Sequence, residues 1–332
     1  MINLNSKIIV SFLICCLFIS PVLVSCSTSD PVVDQTENQA NDSAVDQDVV
    51  TLDFEEVPLY NKPQQSSVLA PTMPGTVVYN ATGLIIDASN ISQGYVAIKY
   101  TGKNSKIKVQ VTKAKVTYTY NINKRDAYEI FPLSEGNGKY TVKVFENISG
   151  TQYSQLYSKE LDVALANQFL PFLYPNQYVN FTANTTAVKK GIEITEGKTN
   201  ELEVVDAVYN YVVDNFSYDY DKAANVVSGY LPDLDKVFKE KKGICFDYAS
   251  VMASMLRSQN IPTKLVVGYT GEIYHAWINV YVESQGWIDG IIFFNGEKWE
   301  MMDPTFASTG KKSESIMKYI NNNANYQAKY AY

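Results

Sequence analysis

Thiol–imidazole chemistry has one possible pair of players in this 332-residue chain: His275 is the only histidine, and Cys245 is the only cysteine beyond Cys26. Gly243 and the break before it set Cys245 at the start of a predicted helix. There, N–H groups without helical acceptors and the helix macrodipole favour a thiolate. The same N–H groups are placed to hold the oxyanion formed when a thiolate adds to a carbonyl. A histidine on a strand can face that sulfur, and a carboxylate on a neighbouring strand can fix the imidazole tautomer. Asp303, which ends a predicted strand and precedes Pro304, is the natural third member.

The elements that must position these groups lie in residues 166–332. Leu202, Val205, Val208, Tyr209 and Val212 recur at helical spacing within 199–215, with Thr199 available as N-cap. A second helix is expected over 233–242, closed by Gly243, and a third over 245–259, with Ala249, Met252, Ala253 and Leu256 on one face and Pro262 beyond its end. Strand patterns follow over 263–269, 275–282, 288–294 and 299–302. Helices first and an antiparallel sheet second define an α+β domain. Asn295-Gly296 is a hairpin signal, so an extra hairpin is expected between His275 and Asp303, overhanging any cleft they share.

Residues 74–165 have a different period. The stretches 95–100, 106–111, 115–120 and 139–144 alternate apolar and polar side chains, with Gly-rich turns between them. Six or seven half-buried antiparallel strands over this length suit an all-β immunoglobulin-like sandwich. Lys99, Lys103, Lys106, Lys108, Lys113 and Lys115 fall on outward positions. They read as a solvated face that discourages edge pairing, or as a patch for anionic envelope polymer.

The N-terminus is an address. Lys7 precedes a largely apolar run from Ile8 to Val24 that ends in Leu23-Val24-Ser25-Cys26. This resembles the lipobox of bacterial lipoproteins, which implies that residues 1–25 are a signal peptide and that Cys26 is acylated as the mature N-terminus. An uncleaved anchor helix is the competing reading, and both put the rest of the chain outside the cytoplasm beside a membrane. Residues 26–73 hold nine acids between Asp30 and Glu56 and read as a disordered acidic linker. Without that run and Lys7, 27 bases face 26 acids, so the formal charge of −7 belongs largely to the linker. No basic tract suits nucleic acid. A hydrophobic content of 46% with 13% aromatics excludes a wholly disordered polymer.

Three blocks stand in order: Gly243-Ile244-Cys245-Phe246-Asp247-Tyr248-Ala249, Tyr274-His275-Ala276-Trp277, and Met302-Asp303-Pro304-Thr305. Together they resemble the transglutaminase-like superfamily over roughly residues 185–310. The resemblance implies a papain-like α+β core in which Cys245 is the nucleophile, His275 the general base and then acid, and Asp303 the orienting carboxylate. Asp289 lies nearer to His275 in sequence, but Asp303 carries the Asp-Pro-Thr context. Tyr218 sits where many relatives carry an aromatic before the catalytic helix. It is either a second oxyanion donor or a core or rim tyrosine. Trp277 shares the face of its strand with His275 and is expected to pack beside the imidazole. Asp247 is expected to stabilise the helix N-terminus. Asp219 and Asp221 are too few for calcium, so no metal and no cofactor is expected.

The chemistry implied is acyl transfer through a Cys245 thioester: a peptidase or amidase if water resolves it, a transglutaminase if an amine does. The expected substrate is peptide or protein at the cell envelope. Two readings from other classes stand beside this one. In one, a catalytically silent domain serves a surface-anchored binding or scaffolding lipoprotein; in the other, the sandwich leads a structural spacer.

Overall fold

The computed structural model describes residues 68–290, 292–294, 299–301 and 325–332. The signal peptide, Cys26 and nearly all of the acidic linker lie outside these residues, as does Asp303.

Eight strands come first: β1 (Val78–Ala81), β2 (Leu84–Asp87), β3 (Tyr95–Tyr100), β4 (Ile107–Lys113), β5 (Val116–Asn121), β6 (Tyr128–Pro132), β7 (Gly138–Ser149) and β8 (Gln152–Val163). They form two four-stranded antiparallel sheets, ordered β1-β2-β3-β6 and β5-β4-β7-β8. The alternation in the sequence becomes alternation in burial. Ile107, Val109 and Val111 are buried on β4, while Lys108 and Gln110 between them are only half-buried. Both sheets feed one apolar core, where Phe131 of β6 meets Tyr120 of β5 edge-on at 5.1 Å.

The remainder is α+β. Helices α1 (Thr186–Ile194) and α2 (Glu201–Asn215) lead to the two-residue strand β9 (Ser217–Tyr218), then α3 (Tyr220–Asn225), α4 (Leu234–Glu240) and the matching short strand β10 (Lys242–Gly243). The central helix α5 (Cys245–Arg257) follows, then β11 (Thr263–Thr270), β12 (Ile273–Val282) and β13 (Gly286–Ile288). Two further strands, β14 (Ile292–Phe294) and β15 (Trp299–Met301), pair as an antiparallel hairpin. The last strand, β16 (Tyr326–Ala331), returns to β11, giving an antiparallel sheet ordered β13-β12-β11-β16.

Several boundaries differ from expectation for identifiable reasons. Asn200, not Thr199, caps α2, accepting from Glu203 N at 3.0 Å; Thr199 N instead donates to the Glu203 carboxylate at 2.8 Å. Helix α4 stops at Lys241, two residues before Gly243. Lys241 takes the left-handed conformation at φ 51°, and its ammonium lies over the Phe238 ring at 3.2 Å while donating to the Tyr211 hydroxyl at 2.7 Å. The stretch 288–294 is two strands rather than one, split between β13 and β14. Helices α1 and α3 and strand β16 were not expected.

α5 is buried on every side from Asp247 to Arg257, which marks it as the core of the domain rather than a surface helix. Its last residue is a buried guanidinium. Arg257 donates to the carbonyls of Thr263 and Tyr174, each at 2.8 Å, and to that of Tyr332. Burial pulls it down to about 9, which leaves it protonated at neutral pH. One side chain therefore joins α5, β11, the segment after the sandwich and the return strand. Arg257→Met would keep the apolar stem and orphan three carbonyls. The expected loss is about 3 kcal/mol or more, read as a lower urea midpoint at unchanged slope; an unaltered midpoint would contradict this role.

Candidate active site

The site is built by a chain of local devices. Lys241 turns the backbone, and its carbonyl accepts from Ser217 N at 2.9 Å. Lys242 and Gly243 then pair in parallel with Ser217 and Tyr218, closed by Asp219 N donating to Gly243 O at 2.9 Å. Tyr218 is thereby fixed beside the backbone just before Cys245. Gly243 is required by space: a Cβ there would stand 2.6 Å from the Asp247 Cβ.

Cys245 opens α5. Ile244, the residue before it, has no side-chain acceptor, so the carboxylate of Asp247 supplies one from within the first turn, taking Ile244 N at 2.8 Å. Asp247 is fully buried and also accepts from Lys222 Nζ at 2.6 Å and the Tyr230 hydroxyl at 2.5 Å. The expected helix-end role of Asp247 is thus one of three. The same carboxylate holds α3 and the loop after it against the start of α5. Burial first, and then the bond to Asp247, raise the Tyr230 phenol above its usual range, so it remains a donor.

His275 is buried on β12, paired with Gly268 of β11. A Cβ at Gly268 would fall 2.0 Å from the Gln327 carbonyl and 2.9 Å from the Trp277 ring, so glycine lets β16 and Trp277 close around the imidazole. Trp277 lies nearly parallel to the His275 ring at 6.2 Å, and Tyr326 approaches at 6.5 Å. The expected packing of Trp277 beside His275 is observed. Asp289 accepts from Asn279 Nδ2 at 2.6 Å. The hairpin expected between His275 and Asp303 is present as β14–β15, with Phe294 opposite Trp299; its connecting residues lie outside those described.

Cys245, His275 and Tyr218 line one cleft of about 690 Å³, inside the range of roughly 300–1,000 Å³ common for ligand sites. Cys245 is half-buried and carries no disulfide. Helix geometry leaves its N–H without a helical acceptor. Asp219 caps α3, accepting from Lys222 N at 3.0 Å, and pairs with Lys242 at 3.1 Å. Sequence reasoning missed Lys222 and Tyr230 as parts of this region. It also missed that the sandwich reaches the cleft through Lys108, Thr119, Asn121 and Asn123. The alternation of β4 and β5 showed which side chains point outward, but nothing in it shows what they face.

The α+β region thus places a cysteine at the mouth of its central helix and a histidine on the sheet that follows. Residues 189–289 match the model of the transglutaminase-like superfamily. A curated relative, the uncharacterized protein YebA of Bacillus subtilis (strain 168), is 25% identical over 189 residues, covering 48% of this chain and 25% of its own length. The chain therefore spans about a quarter of that relative. Two solved structures are similar. A candidate cysteine protease from Cytophaga hutchinsonii has 17% identity and a TM-score of 0.33, covering 64% of this chain and 78% of the other. The periplasmic domain of TgpA from Pseudomonas aeruginosa has 14% identity and a TM-score of 0.33, covering 68% and 96%.

Asp247→Ala removes the acceptor of three donors and leaves the Lys222 ammonium facing an apolar methyl. The expected cost is about 3 kcal/mol, which for a domain of this size lowers the thermal midpoint by roughly 6 °C or more. Asp247→Asn, which keeps an acceptor for Ile244 N, should lose less. Equal midpoints for wild type and Asp247→Ala would show that the carboxylate does not hold these elements together.

Proposed function

We propose that this chain is a cysteine-dependent enzyme acting on peptide or carboxamide carbonyls through a Cys245 thioester. The observation that carries the reading is the shared cleft: the chain's only imidazole and its only cysteine beyond Cys26 line the same cavity, the latter at a helix N-terminus. The Cys245 sulfur adds to the carbonyl carbon, and the charge that develops on oxygen is met by the Cys245 N–H and the Tyr218 hydroxyl. His275, protonated by the thiol, gives its proton to the leaving amine as the C–N bond breaks. Water then enters, His275 takes one of its protons, and the acyl–sulfur bond breaks to release acid and thiol. An amine in place of water gives the transglutaminase outcome by the same steps. Asp303 enters this scheme by family resemblance, as the carboxylate that orients His275.

The reading extends to location. Export by residues 1–25 and acylation of Cys26 would hold the enzyme at the extracytoplasmic face of a membrane, on the linker of residues 26–73, with envelope peptide as substrate. Among the described residues, which begin at 68, no helix is long and apolar enough to cross a membrane; the anchor in this reading is the lipid on Cys26. The reading of residues 74–165 as an immunoglobulin-like sandwich is supported by two four-stranded antiparallel sheets, β1-β2-β3-β6 and β5-β4-β7-β8, that feed one apolar core.

Mass spectrometry of a glutaminyl peptide incubated with the protein and a primary amine tests the chemistry. Hydrolysis predicts conversion of the carboxamide to the acid by the wild type, and a loss of several orders of magnitude in Cys245→Ser with the fold retained. Incorporation of the amine instead would assign the transglutaminase outcome. Equal product in wild type and Cys245→Ser would remove the thioester.

A further inference from the structure

One wall of the cleft comes from outside the transglutaminase-like domain. Thr119 and Asn121 stand two apart on β5 and so share a face, and Lys108 of β4 is the cross-strand partner of Asn121. The Lys108 ammonium donates to Asn121 Oδ1 at 3.2 Å. This wall is fixed to the catalytic side by hydrogen bonds. Gln177 Nε2 donates to the Asn121 carbonyl at 2.8 Å and to the buried carboxylate of Glu129 at 2.5 Å. Glu129 in turn accepts from Asn123 N at 2.6 Å and Lys124 N at 2.8 Å. The residue after Gln177 offers its carbonyl to Ser250 Oγ of α5 at 2.6 Å, so the wall is tied to the helix that begins with Cys245. The loop after α3 also meets it: a Cβ at Gly229 would lie 3.1 Å from Asn121 Nδ2.

The two sides of the cleft differ in chemistry. Val226, Val227, Ile273 and Tyr274 line it while 41%, 75%, 52% and 60% exposed. These are half of the large apolar side chains found exposed among the described residues, and such clustering marks a contact surface rather than scatter. Against them stand the amides of the wall and the ammonium of Lys108. Among the described residues no Asp or Glu lines the cleft, and Lys108 is its only Lys or Arg. Glu129 sits behind the wall, held by backbone N–H groups and Gln177. Asp247 lies beneath it, held by Lys222, so neither carboxylate offsets Lys108 from within the cleft.

We propose that the β4–β5 face is the substrate-selecting wall of this cleft. It takes a peptide that sets a carboxylate against Lys108 while its apolar side chains rest on Val226–Val227 and Ile273–Tyr274. Binding of such a peptide does not depend on turnover; its processing rests on the thiol-enzyme reading given above. The carboxylate has two sources, an acidic side chain or a free peptide C-terminus, with the same chemistry toward an ammonium.

The test uses the full chain with Cys245→Ala and three dye-labelled pentapeptide pools, read by fluorescence anisotropy. The first pool contains Asp, Glu, Leu and Val with an amidated C-terminus. The second replaces the acids by Asn and Gln and leaves the C-terminus free. The third is the second pool with the C-terminus amidated. The proposal expects the first or second pool to bind roughly tenfold tighter than the third, naming the source of the carboxylate. It expects that gap to vanish in Lys108→Gln and to persist in Lys108→Arg. In the chain carrying only Cys245→Ala, the gap should also narrow steeply with salt, a readout that does not require the Lys108 variant to fold. Equal affinity for all three pools, or a gap that survives both Lys108→Gln and high salt, overturns it. Wild-type turnover of the preferred pool is scored separately. Preference without turnover would sink the thiol-enzyme reading and leave the wall assignment intact.

Discussion

The buried carboxylate of Asp247 is the interaction on which the rest of the α+β half depends. A helix buried on all sides must begin somewhere, and its first N–H groups then lie in a low-dielectric environment with no helical acceptor. Here a charge two residues into the helix serves Ile244 N and is balanced by Lys222 and Tyr230, drawn from α3 and the loop behind it. These three bonds take up that carboxylate. Gly243 keeps the approach clear, and the parallel pairing of Lys242–Gly243 with Ser217–Tyr218 carries Tyr218 into position. The nucleophile's surroundings are therefore assembled from four short segments that converge on one carboxylate.

A second constraint joins the β-rich and α+β regions. Tyr178 stacks on Tyr332 at 3.9 Å with nearly parallel rings, and Tyr332 packs edge-on against Tyr118 and Tyr120 of β5. The Ala331 amide donates to the Tyr118 hydroxyl at 3.3 Å, and Arg257 holds the Tyr332 carbonyl from the other side. Tyrosine suits this junction because each ring buries a large area while its hydroxyl can still find a partner. The abundance of tyrosine is thus partly structural, and the strands that precede the catalytic half supply side chains to its cleft.

How much of this was legible in the sequence depended on whether the signal was local. Cys245 and His275 stood out by being unique, and the helix beginning at Cys245 followed from Gly243, the apolar face and Pro262. Asn295-Gly296 signalled a hairpin in the sequence, and β14 and β15 pair on either side of it. The period-two runs gave β3, β4, β5 and the first half of β7, but not β1, β2, β6 or β8. What escaped were features decided by tertiary contact. α1 and α3 are short and only partly apolar, and β16 lies far in sequence from the β11 edge it pairs with. Lys241 occupies a left-handed position that glycine normally fills, because Phe238, Phe216 and Tyr211 form a cradle for its ammonium. The role of Asn121 and Lys108 as cleft wall was invisible for the same reason: alternation gives the face of a strand, not its neighbour.

The central claim is that Cys245 and His275 act on each other across this cleft. It is tested most directly by the rate at which iodoacetamide alkylates Cys245 at mildly acidic pH, followed by site-resolved mass spectrometry in wild type and His275→Ala. A thiolate held by an imidazolium predicts labelling far faster than that of an ordinary thiol, falling to the ordinary rate when the imidazole is removed. The same ordinary rate in both proteins would contradict the pairing.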